Sequence, residues 1–194
     1  MILNYVPLNE FEVYCKENWD IQPEAGGMPL EPPIFDSPFD LIQDAVYFIP
    51  STQDLQPQSS AIVGGHEANG DPLYIVRAPY EGGIYPGKAS PKESVYISHD
   101  GREINIHGKF ERLVGDQSCV RWAHVDGRFY YGRLGGAIPV RGGTEPPGAA
   151  LYIAQASVEG GVHCGKVKFD SYAAIPLNGS EIIAESYNVL VFCD

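Results

Sequence analysis

A chain of 194 residues, 44% of them hydrophobic, can bury a proper core as one domain or a compact pair. Its formal net charge of −12 repels phosphate backbones and anionic headgroups, which sets nucleic acid and membrane surfaces aside as partners. The 22 glycines and 16 prolines punctuate apolar runs instead of forming tracts, the composition of an all-β protein with many tight turns.

Residues 1–45 are read as an N-terminal extension that packs on the core. Within it FEVYCKENW alternates as a strand, with Phe11, Val13 and Cys15 on one face. The prolines of PEAGGMPLEPPIFDSPFD forbid a helix or an inner strand, and Phe35, Phe39, Leu41 and Ile42 supply apolar surface for docking. The first residues carry no basic n-region, apolar h-region or small-residue cleavage site, and no stretch approaches the ~20 apolar residues of a membrane span. A cytoplasmic location is therefore expected, with export by an unconventional route left open. Cys15, Cys119, Cys164 and Cys193 form no CxxC motif and are expected to be free thiols, since a chain of this size needs no disulfide staples.

From residue 46 onward the chain reads as strands. VYFIP and AIVGG are short, Glu67-Ala68-Asn69-Gly70-Asp71 is a turn, and PLYIVRAPY is the strongest strand, rich in β-branched and aromatic residues. Glu81-Gly82-Gly83 turns the chain into IYPGKAS, and SVYISHDGREINI forms a hairpin about Asp100-Gly101. VRWAHVDGRFYYGRL reads as a hairpin about Asp126-Gly127. AIPVRGG, ALYIAQASV, VHCGKVKF, YAAIPL, SEIIA and YNVLVF follow at the regular spacing of an all-β fold. Asn178-Gly179-Ser180 matches the glycosylation acceptor pattern but is read as a turn. No segment keeps a 3.6-residue apolar period, so helix is minor.

One stretch occurs twice. LYIVRAPYEGGIYPGK, Leu73 to Lys88, returns as LYIAQASVEGGVHCGK, Leu151 to Lys166. From Gly64 to Lys88 about half of the positions match the second copy at a constant shift. A long unit present in only two copies argues against a solenoid and for a pseudo-two-fold domain with a shared core. Repeat one is assigned to residues 46–118 and repeat two to 119–194.

Glu67 with Glu145, Glu81 with Glu159, and Lys88 with Lys166 are the charged side chains common to both windows. A carboxylate that accepts hydrogen bonds and a lysine that donates them, bordered by glycines, can grip adjacent hydroxyls of a sugar. The same pairs can be read as surface salt bridges worth ~0–1 kcal/mol. The five histidines are scattered without zinc-like spacing, so neither a metal nor a cofactor is expected. No GxSxG or Cys–His signature points to nucleophilic catalysis. Hydrolysis by Glu67 or Glu81 as acid and base is a third reading, and the chain is expected not to be an enzyme. Tyr74 and Tyr152, within strands, are read as core residues.

GGHEANGDPLYIVRAPYEGGIYPGK followed by VYISHDGREI, with AAIPLNGSEIIAESYNVLVF closing the second copy, resembles the DM-nine repeat over about three quarters of the chain. The resemblance implies tandem repeats that exchange strands to make one intertwined β-domain. It also implies a mannose-binding lectin, often a homodimer, or a pathogen-responsive protein acting in innate recognition of microbes. In mannose-binding members the turn acid before LYI and the Lys of PGK touch the sugar. Carried over, these are Glu67 and Lys88, then Glu145 and Lys166, with Glu81 and Glu159 at the EG position. Both turn acids are Glu where the family more often has Asp. Gln155, Cys164 and Pro146-Pro147 depart from the pattern in the second copy, so the resemblance ranks the first site ahead of the second. The alternative is a non-catalytic structural or protein-interaction β-domain that binds no sugar.

Thiol titration of freshly purified, denatured and unreduced protein is expected to find all four cysteines; a count of zero would place the chain in an oxidising compartment.

Overall fold

Turn chemistry divides the chain into strands. The structure, a computed structural model, describes residues 46–52 and 61–193, which belong to the unit Pro38–Asp194, one of two into which the chain divides. The strand expected through Phe11, Val13 and Cys15, and the docking of Phe35, Phe39, Leu41 and Ile42, lie outside the described residues.

The first repeat supplies β1 (Val46–Pro50), β2 (Val63–His66), β3 (Pro72–Tyr80), β4 (Gly83–Ala89), β5 (Val95–His99), β6 (Arg102–Ile106) and β7 (Glu111–Gly115). The second supplies β8 (Val120–Asp126), β9 (Arg141–Glu145), β10 (Ala149–Val158), β11 (Gly161–Val167), β12 (Ala173–Leu177), β13 (Ser180–Ala184) and β14 (Ser186–Phe192). Among the described residues, helix is confined to single 3-10 turns at Gln117–Cys119 and Tyr131–Leu134. Four hairpins among these residues close through two-residue loops: Glu81-Gly82, Asp100-Gly101, Glu159-Gly160 and Asn178-Gly179. Both residues of each loop have positive φ, the primed-turn geometry that matches strand twist and that glycine adopts freely at the second position.

The strands join in the order β1-β7-β3-β2-β11-β12-β13-β6-β5-β4-β9-β10-β14-β8, with further pairings β3–β4 and β10–β11. Exchanging each strand of the first repeat with its counterpart in the second returns the same order read backwards. This is the pseudo-two-fold that the repeated LYI segment predicts. The repeats are intertwined. β2 pairs with β11 through Val162 and His66, β9 pairs with β4 through Ile84 and Thr144, and β2-β3-β4-β9-β10-β11 close a ring.

The crossings explain the paired glycines. A Cβ on Gly65 would stand 2.0 Å from the Val162 carbonyl oxygen, and one on Gly143 would stand 1.9 Å from that of Ile84. Gly64 and Gly142 likewise face Cys164 and Pro86, which occupy equivalent positions in opposite repeats. Cys164 thus does the packing of the proline it replaces, and burial pushes its thiol up to about 12. Cys119, Cys164 and Cys193 are free.

Three core clusters of the described residues follow from this arrangement. Val76, Ala78, Val95 and Ile97 fill the first repeat, and Ala154, Ala156, Ala173 and Ile175 the second. Ile62, Ile75, Val140 and Ile153 meet between the two.

Two expected elements differ. VRWAHVDGRFYYGRL is not a hairpin: β8 pairs with β14, and after Gly127 the Phe129 backbone bonds to Ser171 and Asp170. The buried Phe129 ring draws the chain inward there. In AIPVRGG the strand starts only at Arg141, and Pro139 makes one isolated bridge to Val191.

Gly143→Ala is expected to cost more than ~3 kcal/mol by urea unfolding, because the clash is with backbone. Gly108→Ala, where an added Cβ meets open space, is expected to stay within ~0.5 kcal/mol. Equal midpoints for the two variants would refute the crossing as the constraint.

Candidate functional site

Lys88 and Lys166 are the penultimate residues of β4 and β11. Each is flanked by a strand on either side: Ile75 and Tyr96 oppose Lys88, Ile153 and Ala174 oppose Lys166. Gly87 and Gly165 precede them, and a Cβ at either would stand 2.1 Å from the carbonyl of Tyr96 or Ala174. The lysines are only 3% and 8% exposed. Reading the Glu–Lys pairs as surface salt bridges is thereby corrected, since these ammonium groups are desolvated and each needs compensation.

Lys166 is compensated by two carboxylates and a carbonyl. Its Nζ lies 3.6 Å from Glu145 Oε1 and 3.3 Å from Glu181 Oε1, and it donates to the Ser98 carbonyl at 2.9 Å. The Tyr85 ring sits beneath it at 4.8 Å. Glu145 is shared with Lys168, 2.8 Å away. Burial raises the Tyr85 phenol's pKa, with Glu145, Asp100 and Glu81 adding to the effect, so the ring stays neutral. A cleft of ≈ 450 Å³ opens here, lined among others by Glu145, Lys166, Lys168, Glu181 and Asp100.

Lys88 is compensated differently. Glu103 Oε1 is 3.7 Å from its Nζ, and His163 Nδ1 is 3.1 Å away. Glu67 Oε2 stands 4.0 Å from the same His163 nitrogen, so the turn acid and the lysine both face one nitrogen of the imidazole. Burial lowers the Lys88 pKa against the opposing pull of Glu103 and Glu67. Burial and then Lys88 lower that of His163. A neutral His163 accepting from the Lys88 ammonium satisfies both.

The shift that carries Glu67 to Glu145 and Lys88 to Lys166 also carries Glu103 to Glu181 and Tyr85 to His163. Each set therefore contains one side chain from the other repeat. Sequence reasoning missed Glu103 and Glu181, although both stand two residues after the hairpin glycines Gly101 and Gly179. Tyr85 and His163, unlike in chemistry, gave no signal.

Glu81 and Glu159 serve another place. Glu81 Oε2 is 3.1 Å from His99 Nε2, and Glu159 Oε2 accepts from Asn178 at 2.7 Å; both tie one hairpin turn to the next. Glu81, His99 and Asp100 offer ligand atoms within 4.8 Å of one another, close enough to share a cation. Leu177 stands at the His99 position in the second repeat, so that grouping is not duplicated.

The DM9 repeat model matches residues 36–106 and 86–184, more than half of the chain. The chain belongs to the DM9 repeat family. The two matches end at Ile106 and Ala184, related by the shift that relates the copies of LYI, so the DM9 unit ends on the hairpin that carries Glu103 or Glu181. A comparison with curated sequences returns no match. Among solved structures, the nematode sperm cell motility protein MFP2B is similar in fold, with TM-score 0.55 and 15% identity over 75% of this DM9 chain and 45% of that one. The chain spans less than half of that protein's length.

His163 contributes a pH dependence. Its folded pKa lies below the usual 6.5, so on acidification the unfolded chain takes up a proton that the folded state refuses. Its stabilising contribution is complete above that range and is lost as pH falls through the lowered folded value. His163→Tyr installs the residue of the second set; the wild-type urea midpoint, measured against this variant's, is expected to fall as pH is lowered through and below the usual imidazole range. A constant difference would show that His163 does not titrate there.

Proposed function

We propose that this DM9 protein is a non-enzymatic glycan-binding protein that takes neutral, mannose-type sugars at the Lys166 cleft, with the Lys88 set as its divergent twin. The observation that carries the reading is a buried ammonium between two carboxylates, opening on a cleft large enough for a small ligand. A vicinal diol both donates and accepts; the carboxylates accept hydrogen bonds from its hydroxyls and the ammonium donates to its oxygens. The cations at the cleft are matched, Lys166 by Glu145 and Glu181, Lys168 by Glu145, and Arg128 by Asp170. This balance disfavours an anionic ligand. Two carboxylates on one ammonium act as a hydrogen-bonding clamp, and no covalent step is included. Mannose as the sugar rests on the family resemblance of Glu145 and Lys166, as does Glu67 with Lys88 at the first set. Two sets per chain, and more in a homodimer, would convert weak single contacts into avidity for repetitive microbial surfaces.

The alternative, a protein-interaction β-domain, draws support from how fully Lys88 is enclosed by its own partners.

Lys166→Ala alone is a poor test, because it leaves the Glu181 carboxylate without its cation while Glu145 keeps Lys168, a loss of stability of about 3–5 kcal/mol. The double variant Lys166→Met with Glu181→Gln removes both charges and is expected to fold. It is expected to lose one to two decades of mannose affinity by calorimetry, from charge-assisted hydrogen bonds of ~1.5–3 kcal/mol. Absence of heat from the wild type at millimolar mannose would favour the interaction domain.

A further inference from the structure

The cleft beside Lys166 extends past the residues that the repeat predicts. Its lining includes Arg128, from the β8–β9 connection, and Asp170, Ser171 and Tyr172, from the β11–β12 loop. Asp170 Oδ1 accepts from Tyr130 Oη at 2.5 Å and from Arg128 at 3.1 Å. Asp170 is thus a wall of the cleft and an anchor for the Tyr130 ring. Next to it in sequence, Phe169 stands edge-on to Tyr130 at 5.4 Å and tilted by 31° to Tyr131 at 5.5 Å.

These rings are exposed, Phe169 to 54% and the two tyrosines to a lesser extent. A lone exposed aromatic residue is ordinary, but three together, outside the cleft lining and joined to its wall through Asp170, mark a contact surface. The repeat architecture does not demand them: at the same shift Pro91 stands for Phe169 and Thr52 for Tyr130. Aromatic faces attract the C–H edges of neutral ring ligands, and the paired Arg128 and Asp170 add hydrogen-bonding groups without net charge. The ≈ 450 Å³ of the cleft lies within the ~300–1,000 Å³ of pockets that enclose drug-sized ligands, more than a single hexose fills.

We propose that the cleft takes a glycan of at least two sugar residues, one hexose clamped by Lys166, Glu145 and Glu181 and the next laid against the Phe169–Tyr131–Tyr130 rings. The subsite rests on the glycan reading above and names its ligand class as a neutral oligosaccharide. It also makes the halves unequal, since Pro91 and Thr52 stand in the first repeat where the second has rings.

Calorimetric titrations of wild type and Phe169→Ala with methyl α-mannoside and with an α-linked mannotriose test it. The wild type is expected to bind the trisaccharide about tenfold more tightly than the monosaccharide. Phe169→Ala is expected to abolish that preference while leaving monosaccharide affinity and the melting temperature unchanged. Equal wild-type affinities for the two sugars, or an undiminished preference in Phe169→Ala, overturn the subsite and leave the glycan reading standing. Binding of neither sugar overturns the glycan reading and the subsite with it.

Discussion

Everything in this domain depends on two places where backbone passes backbone with no room for a side chain. Gly65 lies against the Val162 carbonyl and Gly143 against that of Ile84, and through these crossings β2 reaches β11 and β9 reaches β4. Neither repeat completes its ring of strands alone. The shared cluster around Ile62, Ile75, Val140 and Ile153 forms only when both halves are present, which ties the stability of each to the other. The same crossings bring Tyr85 under Lys166 and His163 against Lys88.

A buried ammonium is tolerated only where its surroundings return what dehydration removes. The two halves solve this in different ways. The second repeat surrounds Lys166 with two carboxylates, a carbonyl and an aromatic face. The first sets a neutral imidazole against Lys88, with the turn acid Glu67 at the same ring nitrogen and Glu103 as the nearer carboxylate. Duplication supplied a common frame, and unlike residues at equivalent positions, Tyr85 against His163 among them, leave Lys166 beside an open cleft and Lys88 enclosed. Of the departures in the second copy, Cys164 packs inward against Gly64 and does not line the cleft.

Much of the fold was legible because β structure writes itself locally. The alternation in PLYIVRAPY and the Glu-Gly, Asp-Gly and Asn-Gly pairs depend on residues a few positions apart, and they located β3 and three of the four two-residue hairpin turns. Repetition then implied the pseudo-two-fold, and the charges shared by both copies pointed to Glu145 and Lys166, which the structure brings together. The Asp126-Gly127 turn carried the same local signal but did not make a hairpin, since burying Phe129 and pairing β8 with β14 are contacts between distant segments.

The sequence by itself determined most of the strands and their turns, the twofold repetition and the lysines and glutamates that recur. Only the tertiary structure decided which of those charges meet, how deeply they are buried, and that Glu103, Glu181, Tyr85 and His163 complete the two sets. The physical reason is strand exchange. A residue's neighbours along a strand follow from its own segment, but its neighbours across a crossing come from the other repeat. There, unlike residues such as Tyr85 and His163 fill equivalent positions that no local pattern links to a lysine.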